Sequence, residues 1–303
     1  MSEGVRPVAP PADGAVVVRP LRPEEATDAH LLSSRAFDEL DRAAGVALAE
    51  HTDAWLERGR ARVAHLQRTD PDGAWAAEQD GALVGVALAS VRERLWFLSL
   101  LAVEPGRQGA GTGRLLLEAA LRTSQGAAAA WILSSEDPRA LRRYARAGFA
   151  LEPGYATGGT VERALLPAVP DVREGSWAVD GERVEDLVRS LRGAGFGPDL
   201  GAFEATGARL LVTDTARGQG FAVLSPAGLR PLGASTPAAA QALLWAALAE
   251  VEGEPAVEFL TARQGWAVDV VVQARLALRP AASSCHRGLL GPFSPYLPSG
   301  RYG

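Results

Sequence analysis

Residues 95–121, LWFLSLLAVEPGRQGAGTGRLLLEAAL, decide the fold that we predict for this chain. The segment begins with Leu95–Val103, an apolar run that is typical of a strand covered on both faces. Glu104-Pro105-Gly106 ends this strand, and the apolar positions between Leu115 and Leu121 predict an amphipathic helix. The segment therefore predicts a strand, a glycine-rich turn and a helix in direct succession.

Three glycines at alternate positions, Gly109, Gly111 and Gly113, come directly before this helix. Because glycine disfavours helix formation, their presence indicates another requirement. Without Cβ atoms, phosphate groups can approach successive backbone N–H groups at the positive end of the helix dipole. The pattern predicts a pyrophosphate-binding loop, and a tight turn without a ligand is the alternative.

Two common phosphate-binding loops do not fit this pattern. A Walker A loop requires GK[ST], and the chain contains no lysine. The dinucleotide fingerprint is GxGxxG in the first βαβ unit, whereas this GxGxG follows an earlier predicted strand. The remaining pattern, QxxGxG starting at Gln108, resembles motif A of the GNAT superfamily of N-acetyltransferases.

A second motif strengthens the resemblance. Asp137–Phe149, DPRALRRYARAGF, resembles the NxxAxxxYxxxGF of that superfamily, with Asp in the first position. The predicted elements around both motifs also follow the GNAT order. They are a strand at Val16–Pro20, helices at Glu24–Leu40 and about Thr52–Gln67, a hairpin of Trp75–Gln79 and Ala82–Val91, and a strand at Ala129–Ser134.

The composition excludes several other kinds of protein. A length of 303 residues suggests two domains, and a net charge of -5 argues against a dedicated nucleic-acid surface. The one cysteine, Cys285, rules out an intramolecular disulfide framework and a cysteine-cluster metal site. No apolar run approaches ~18 residues, so we expect no membrane-spanning helix and predict a cytoplasmic protein. We expect residues 1–14, which are rich in Pro and Gly and lack a signal pattern, to form a flexible tail.

The sequence also contains a weak internal repeat. Leu115–Leu121 is LLLEAAL and Ala242–Leu248 is ALLWAAL, an offset of 242 − 115 = 127 residues. Strands predicted at Arg209–Thr213, Gly220–Leu224 and Ala256–Thr261 fit a second copy at this spacing. We predict a GNAT-like domain at residues 15–167 and a second GNAT-like domain at 168–303, joined near Pro167 and Pro170.

The predicted second copy lacks the motif residues. Gln108–Gly113 aligns with Ser235–Ala240, STPAAA, which introduces Cβ atoms and removes one N–H donor at Pro237. Tyr144 aligns with Val271. Because Thr236-Pro237 is a good start for a helix, we expect the scaffold to be kept and the chemistry lost.

The resemblance implies a fold and a cofactor site. The fold is α+β or α/β, with two tandem GNAT-like domains, each a mixed, mostly antiparallel twisted sheet flanked by helices. The co-substrate is acetyl-CoA, with no metal. The resemblance places it on the end of the central strand, which binds pantetheine and polarises the thioester, and on the loop that binds pyrophosphate; the residues are Leu101, Ala102, Val103, Gln108, Gly109, Ala110, Gly111, Thr112 and Gly113.

Tyr144 is the candidate general acid that the second motif implies. A phenol with an ordinary pKa of about 10 stays protonated at neutral pH and can give a proton to a departing thiolate. The alternative is a tyrosine that only packs or hydrogen-bonds. The general base is unassigned, because Leu95–Val103 contains no carboxylate, and the nearest candidates are Glu104 and the first predicted helix with its neighbours, Glu24, Glu25, His30, Asp38 and Glu39.

Three functional hypotheses follow from the sequence. The first is an N-acetyltransferase that acts on a primary amine by direct attack in a ternary complex. The second is a regulatory or scaffold protein that binds acyl-CoA without turnover, and the third is the same fold with a longer acyl donor. Small-molecule amines and peptide N-termini are open as acceptors, and we expect no nucleic-acid or membrane partner and a monomeric pseudo-dimer or a homodimer.

Overall fold

The structure is a computed structural model that describes residues 14–46, 48, 50–225, 228–251, 253–288 and 291–303, without the side chain of Arg230. Apart from Gly14, the predicted flexible tail lies outside the described residues. The chain divides into two compact units. The first unit comprises the chain up to Leu88 together with Leu100–Arg122, and the second comprises Ala89–Ser99 together with Thr123–Gly303.

The described part of the chain contains both helices and strands in a mixed order. The elements up to residue 158 are β1 (Val17–Pro20), α1 (Ala26–Ala43), α2 (Asp53–Thr69), β2 (Ala74–Gln79), β3 (Ala82–Arg92), β4 (Leu95–Val103), α3 (Thr112–Ala120), β5 (Ala129–Ser134), α4 (Pro138–Arg146) and β6 (Ala150–Gly158). The later elements are β7 (Val172–Glu174), α5 (Trp177–Arg192), α6 (Asp199–Ala205), β8 (Arg209–Thr215), β9 (Gly218–Ser225), β10 (Gly228–Ala234), α7 (Pro237–Glu250), α8 (Gly265–Gln273), β11 (Ala277–Arg287) and β12 (Tyr296–Leu297).

The first unit is built on the strand order β1-β2-β3-β4. β1 and β2 are antiparallel, as are β2 and β3. Asp80-Gly81 forms the turn between β2 and β3 with positive φ at both residues, 52° and 76°, as the two-residue turn in the sequence predicts. α3 buries Leu116 and Leu117, and this helix follows β4 as predicted.

The sheet strands of the second unit lie in the order β3-β4-β5-β11-β6. β4 and β5 are parallel, with a register from Leu95↔Ala129 to Leu98↔Ile132. β11 lies antiparallel between β5 and β6. A strand from the end of the chain therefore completes the sheet that contains the motif-bearing β4.

The crossing of β6 and β11 reproduces the internal repeat. Gly154 pairs with Ala281, and 281 − 154 = 127, the offset of the repeat in the sequence. Two equivalent antiparallel strands meet at equivalent residues when a two-fold axis passes between them. The same offset takes α4, residues 138–146, onto α8, residues 265–273. The boundary near residue 167 stays a prediction, because the strand exchange shown by β11 runs across it.

The remaining strands form a second sheet in the order β12-β10-β9-β8-β7, and every neighbouring pair is antiparallel. α7 packs on this sheet and against α8, and the core that they share buries Leu243, Leu244 and Val270. The strand predicted at Ala256–Thr261 is wrong, since the structure has there only a single bridge between Leu260 and Tyr155. Phe259 interrupts the extended backbone with a φ of 59°, a conformation outside the strand region.

Substitution of Gly154 tests the strand crossing. A Cβ atom at Gly154 would lie 2.7 Å from the backbone oxygen of Ala282, whereas a Cβ atom at Gly158 of the same strand would meet nothing within 4 Å. We expect Gly154→Ala to lower the free energy of unfolding by about 1–3 kcal/mol, because backbone must move. Gly158→Ala should stay within about 0.5 kcal/mol of the wild type in the same urea titration. Equal effects of the two substitutions would contradict the crowded crossing.

Candidate active site

The loop between β4 and α3 adopts a conformation that requires glycine. Gly109 and Gly111 have φ angles of 88° and 93°, and Gly111 is the left-handed residue that caps the start of α3. A Cβ atom at either position would meet no other atom within 4 Å. The glycines are therefore needed for backbone conformation, and the space in front of them is open.

The backbone donors of this loop are available. Within the described ranges, the N–H groups of residues 108–111 have no hydrogen-bond acceptor. The first-turn N–H groups of Thr112 and Gly113 add to them, because an α-helix provides no partner for its first donors. A run of such donors at a helix N-terminus is an anion-binding arrangement.

Gln108 links the loop to the central strand. Its side-chain Nε2 donates to the backbone oxygen of Val103 at 3.1 Å. Its Oε1 atom is buried and has no hydrogen-bond partner in the part of the chain that the structure describes. A buried acceptor without a donor costs about 1–3 kcal/mol, so a bound molecule or water that supplies a donor would stabilise this arrangement.

The last residues of β4 lie beyond the part of the strand that pairs with β5, on the side that faces away from β3. The parallel register with β5 ends at Leu98. Leu101, Ala102 and Val103 therefore lie beyond it, and Leu101 and Val103 are half-buried. These three residues and the loop belong to the first unit, so the structure brings together every residue that the sequence predicts to bind the co-substrate.

Tyr144 lies in the second unit, on α4, where Asp137 caps the helix by accepting from the N–H of Arg139 at 2.9 Å. The tyrosine is 5% exposed and packs edge-on against Phe149, which in turn lies 6.3 Å from the ring of Trp96. Its hydroxyl makes no hydrogen bond to any described residue. Burial raises the pKa of Tyr144 well above its ordinary value, so the phenol stays protonated at neutral and moderately alkaline pH.

Half of the candidate bases, Glu104, Glu25 and Asp38, lie in ion pairs. Glu104 accepts two hydrogen bonds from Arg35, at 2.8 and 2.7 Å. Arg19 holds the pKa of Glu25 below its ordinary value, which makes this carboxylate a weaker base. The other candidates on or near α1 differ in their surroundings. Asp38 lies 3.6 Å from His51, His30 packs against Trp55 with ring centroids 4.3 Å apart, and Glu24 and Glu39 are exposed.

Two other features of the sequence have structural roles. Arg139, Arg142 and Arg146 are exposed on α4, where Arg139 pairs with Asp137 at 3.0 Å. Cys285 is fully buried, and burial raises its pKa to about 12, so it is not an activated nucleophile. Among the described residues, no group of His, Cys, Asp or Glu is arranged to hold a metal ion, and no helix is long and apolar enough to cross a membrane.

Comparison with known proteins agrees with this geometry. Residues 37–149 match the acetyltransferase (GNAT) family, and this range contains both the glycine loop and Tyr144. A search of curated proteins finds no match to the chain.

Solved structures with the GNAT fold are similar over nearly the whole chain. A putative acetyltransferase from Pyrococcus horikoshii is 16% identical with a TM-score of 0.76, and the match covers 95% of this chain and 96% of that one. A GCN5-related N-acetyltransferase from Sphaerobacter thermophilus is 16% identical with a TM-score of 0.57, covering 91% and 96%. A tandem GNAT protein from the clavulanic acid biosynthesis pathway is 15% identical with a TM-score of 0.56, covering 92% and 99%. The predicted fold of two tandem GNAT-like domains is confirmed.

The sequence analysis missed a cleft in the second unit, which is lined by Glu152, Arg263 and His286 among others. These residues come from β6, from the short turn before α8 and from β11, and no local motif contains them. Only the pairing of β6 with β11, which brings together positions more than 100 residues apart, could have signalled it.

The raised pKa of Tyr144 predicts a pH dependence of the stability of the protein. The folded state holds the phenolic proton more tightly than the unfolded state, whose tyrosine has a pKa of about 10. The contribution is therefore fully present below pH 10 and is lost as the pH rises above it. We expect the wild type to lose more unfolding free energy than Tyr144→Phe between pH 9 and pH 11 in parallel urea titrations. Equal losses would show that Tyr144 titrates normally.

Proposed function

We propose that this chain is an N-acetyltransferase that transfers an acetyl group from acetyl-CoA to a primary amine. The observation that carries the proposal is the loop 108–113, whose open N–H donors lie at the N-terminus of α3. The match of residues 37–149 to the acetyltransferase (GNAT) family supports this class of reaction. We also propose that the amine attacks the thioester directly, in a complex that contains both substrates.

The loop is proposed to bind the pyrophosphate of acetyl-CoA. Its donors come from residues 108–113, and open space in front of Gly109 and Gly111 allows phosphate oxygens to approach them. The buried Oε1 of Gln108 would accept from a donor of the ligand or from a bound water. A side chain at either glycine would occupy the space that the phosphates need.

The end of β4 is proposed to bind the pantetheine arm. Leu101–Val103 lies beyond the register with β5, which ends at Leu98, and extended ligands pair with such a strand through its backbone groups. One N–H group of this segment would donate to the thioester oxygen as negative charge develops on it. These residues thus hold the acetyl group and also favour the attack.

Tyr144 is proposed to act as the general acid. The amine nitrogen forms a bond to the carbonyl carbon, the carbon–sulfur bond breaks, and the sulfur receives the proton of the Tyr144 hydroxyl. Because the pKa of this phenol is raised, the group is present as a donor at neutral pH and gives up its proton only as the thiolate develops. The amine loses its own proton to a base that we leave unassigned.

We further propose that residues 15–167 form the active domain and 168–303 a copy that has lost the site. At the start of α7, the side-chain oxygen of Thr236 accepts from the N–H of Ala239 at 3.2 Å, and Pro237 has no N–H group. Of the six equivalent positions, the N–H groups of Ser235, Ala239 and Ala240 are bonded to the protein and Pro237 has none. An anion would find few partners there.

A second candidate function is binding of acyl-CoA without turnover. It is favoured by one observation: β4 contains no carboxylate, and Glu104 beside it is held by Arg35. A third candidate function is transfer from a longer acyl donor at the same site. The acceptor is proposed to be a small-molecule amine or a peptide N-terminus.

Binding of acetyl-CoA tests the loop. Gly111→Ala places a Cβ atom in front of the open donors, and we expect it to weaken acetyl-CoA binding at least tenfold in titration calorimetry. Gly81→Ala is the matched control, since Gly81 lies in the same unit and also combines a positive φ with open space around a Cβ atom. Both variants should lose similar stability, but only Gly111→Ala should lose affinity. Equal affinities in the two variants would contradict the loop as the binding site.

Turnover tests Tyr144. We expect Tyr144→Phe, which keeps the buried ring, to lower kcat by about 10²-fold in a thiol-release assay with an amine panel, at unchanged affinity for acetyl-CoA. Tyr155→Phe is the control, because Tyr155 lies on β6 and is 48% exposed. Full activity of Tyr144→Phe would assign the residue a packing role. Binding of acetyl-CoA by the wild type, without thiol release for any amine, would favour the binding module.

A further inference from the structure

Residues 299–303 of the second unit form a closed loop, which we call the 299–303 loop. The N–H of Gly303 donates to the backbone oxygen of Ser299 at 2.8 Å, and the N–H of Ser299 donates back to the oxygen of Gly303 at 3.3 Å. The hydroxyl of Ser299 also accepts from the N–H of Arg301 at 3.2 Å. Ser299, Tyr302 and Gly303 are buried. The loop is therefore closed by its own hydrogen bonds and enclosed by the rest of the unit.

Side chains from three separate elements donate hydrogen bonds to this loop. The carbonyl oxygens of residues 301–303 accept, in order, from the Oγ of Ser99 at 2.6 Å, from the NH1 group of Arg192 at 2.6 Å and from the phenolic hydroxyl of Tyr296 at 2.8 Å. These donors lie on β4, α5 and β12, and all of them belong to the second unit. The loop thus connects the motif-bearing strand to two elements of the later half of the sequence.

Arg192 fixes the position of the loop with a buried charge. The residue is 1% exposed. Its Nε and NH2 groups donate to the backbone oxygens of Ala194 and Gly195 at 2.9 and 2.6 Å, and its NH1 group donates to the loop. A buried guanidinium is tolerated only where such acceptors compensate for the lost water. The three acceptors therefore hold the guanidinium in one place, and the loop is held with it.

The loop also packs against the sheet beside Ser99. Phe97 and Ser99 are two residues apart on β4, so their side chains project from the same face. Trp131 of β5 lies opposite Phe97 in the register. A Cβ atom at Gly303 would lie 3.3 Å from a ring atom of Phe97 and 3.3 Å from one of Trp131, so the backbone of Gly303 lies directly on these two rings. Packing and a hydrogen bond together join the loop to β4.

This contact lies where β4 leaves β5. The ladder between the two strands ends at Leu98, and Ser99 is the next residue. On that side, Leu101–Val103 has no strand partner in the described part of the chain. Local opening is easiest where a segment has few contacts, and a binding site requires its backbone groups to be held within a fraction of an ångström. An anchor at Ser99 restricts the strand just before the residues that lack support.

We propose that the 299–303 loop is a clasp that positions the acyl-binding end of β4, with Ser99, Arg192 and Tyr296 as positioning residues. The inference rests on the proposed function, in which Leu101–Val103 binds the pantetheine arm and polarises the thioester. It gives the second half of the sequence a role in the reaction without a cofactor site of its own. α5 and β12 hold the clasp, and the clasp holds the strand.

Hydrogen exchange on the full chain without ligand tests the clasp. We expect Ser99→Ala and Tyr296→Phe, which each remove one hydroxyl donor, to speed amide exchange of residues 100–103 at least fivefold. Thr213→Val is the matched control, because Thr213 is also buried in the second unit and donates to the backbone oxygen of Asp171 at 3.0 Å. It should leave exchange of residues 100–103 within twofold of the wild type. Unchanged exchange in both clasp variants, or an equal change in the control, would overturn the proposal.

Titration calorimetry with acetyl-CoA tests the consequence for binding. Ser99→Ala and Tyr296→Phe should each weaken binding at least fivefold, and Thr213→Val should stay within twofold of the wild type. The double variant should bind no more weakly than the weaker of the two single variants, because both substitutions break the same clasp. Multiplying losses, or unchanged affinity in both single variants, would contradict the positioning role.

The two measurements separate this inference from the proposed function. Failure of the wild type to bind acetyl-CoA would contradict the proposed function, whereas the exchange of residues 100–103 would still decide whether the clasp restrains β4. Normal binding by the wild type together with unchanged exchange in the clasp variants would contradict the clasp alone.

Discussion

The antiparallel crossing of β6 and β11 is the interaction on which the second unit depends. It joins β6, near the middle of the sequence, to β11 through a ladder from Ala277↔Gly158 to His286↔Ala150, with a shift of register between Ala281 and Ser283. Glycine at position 154 is what allows the strands to approach, because a side chain there would meet the backbone of Ala282. β11 then pairs with β5, and β5 positions the parallel end of β4. The motif-bearing strand is thus supported by residues almost 200 positions away.

The two helix N-termini at equivalent places in the repeat show how a scaffold can keep its shape and change its chemistry. Before α3 the donors are left open and glycines keep the approach clear. Before α7, the hydroxyl of Thr236 accepts from a first-turn N–H group, and Pro237 has no N–H group that needs an acceptor. The second arrangement favours the stability of the helix, whereas the first leaves polar groups exposed for a partner. We regard this difference as the main reason to propose an active and an inactive copy.

Local patterns in the sequence were sufficient to predict most of the helices and strands. The bounds of β5 and the turn at Asp80-Gly81 agree with the sequence, and α4 lies within the second motif. These features depend on propensity and on neighbours in the chain. The insertion of β11 between β5 and β6 depends on pairing across more than 100 residues, which periodicity does not report.

The candidate site also contains some features that the sequence could predict and others that it could not. The glycine loop could be predicted because its conformation and its chemistry both require glycine at fixed spacing. The roles of the carboxylates could not, since the pairing of Glu104 with Arg35 is a contact between residues 69 positions apart. The prediction of a strand at Ala256–Thr261 was wrong because Phe259 has a left-handed backbone conformation. Nothing in the neighbouring sequence indicates this conformation.

The late position of β11 in the chain has a consequence for synthesis on the ribosome. β5 and β6 are complete once residue 158 has been made, but the strand that lies between them ends at Arg287. Until then, the facing edges of β5 and β6 carry unpaired backbone groups, which are the kind of edge that recruits other strands. At about 5–20 residues per second, this interval lasts on the order of ten seconds. A nascent chain of this protein therefore needs these edges shielded during translation, and this need ends only when β11 has emerged from the ribosome.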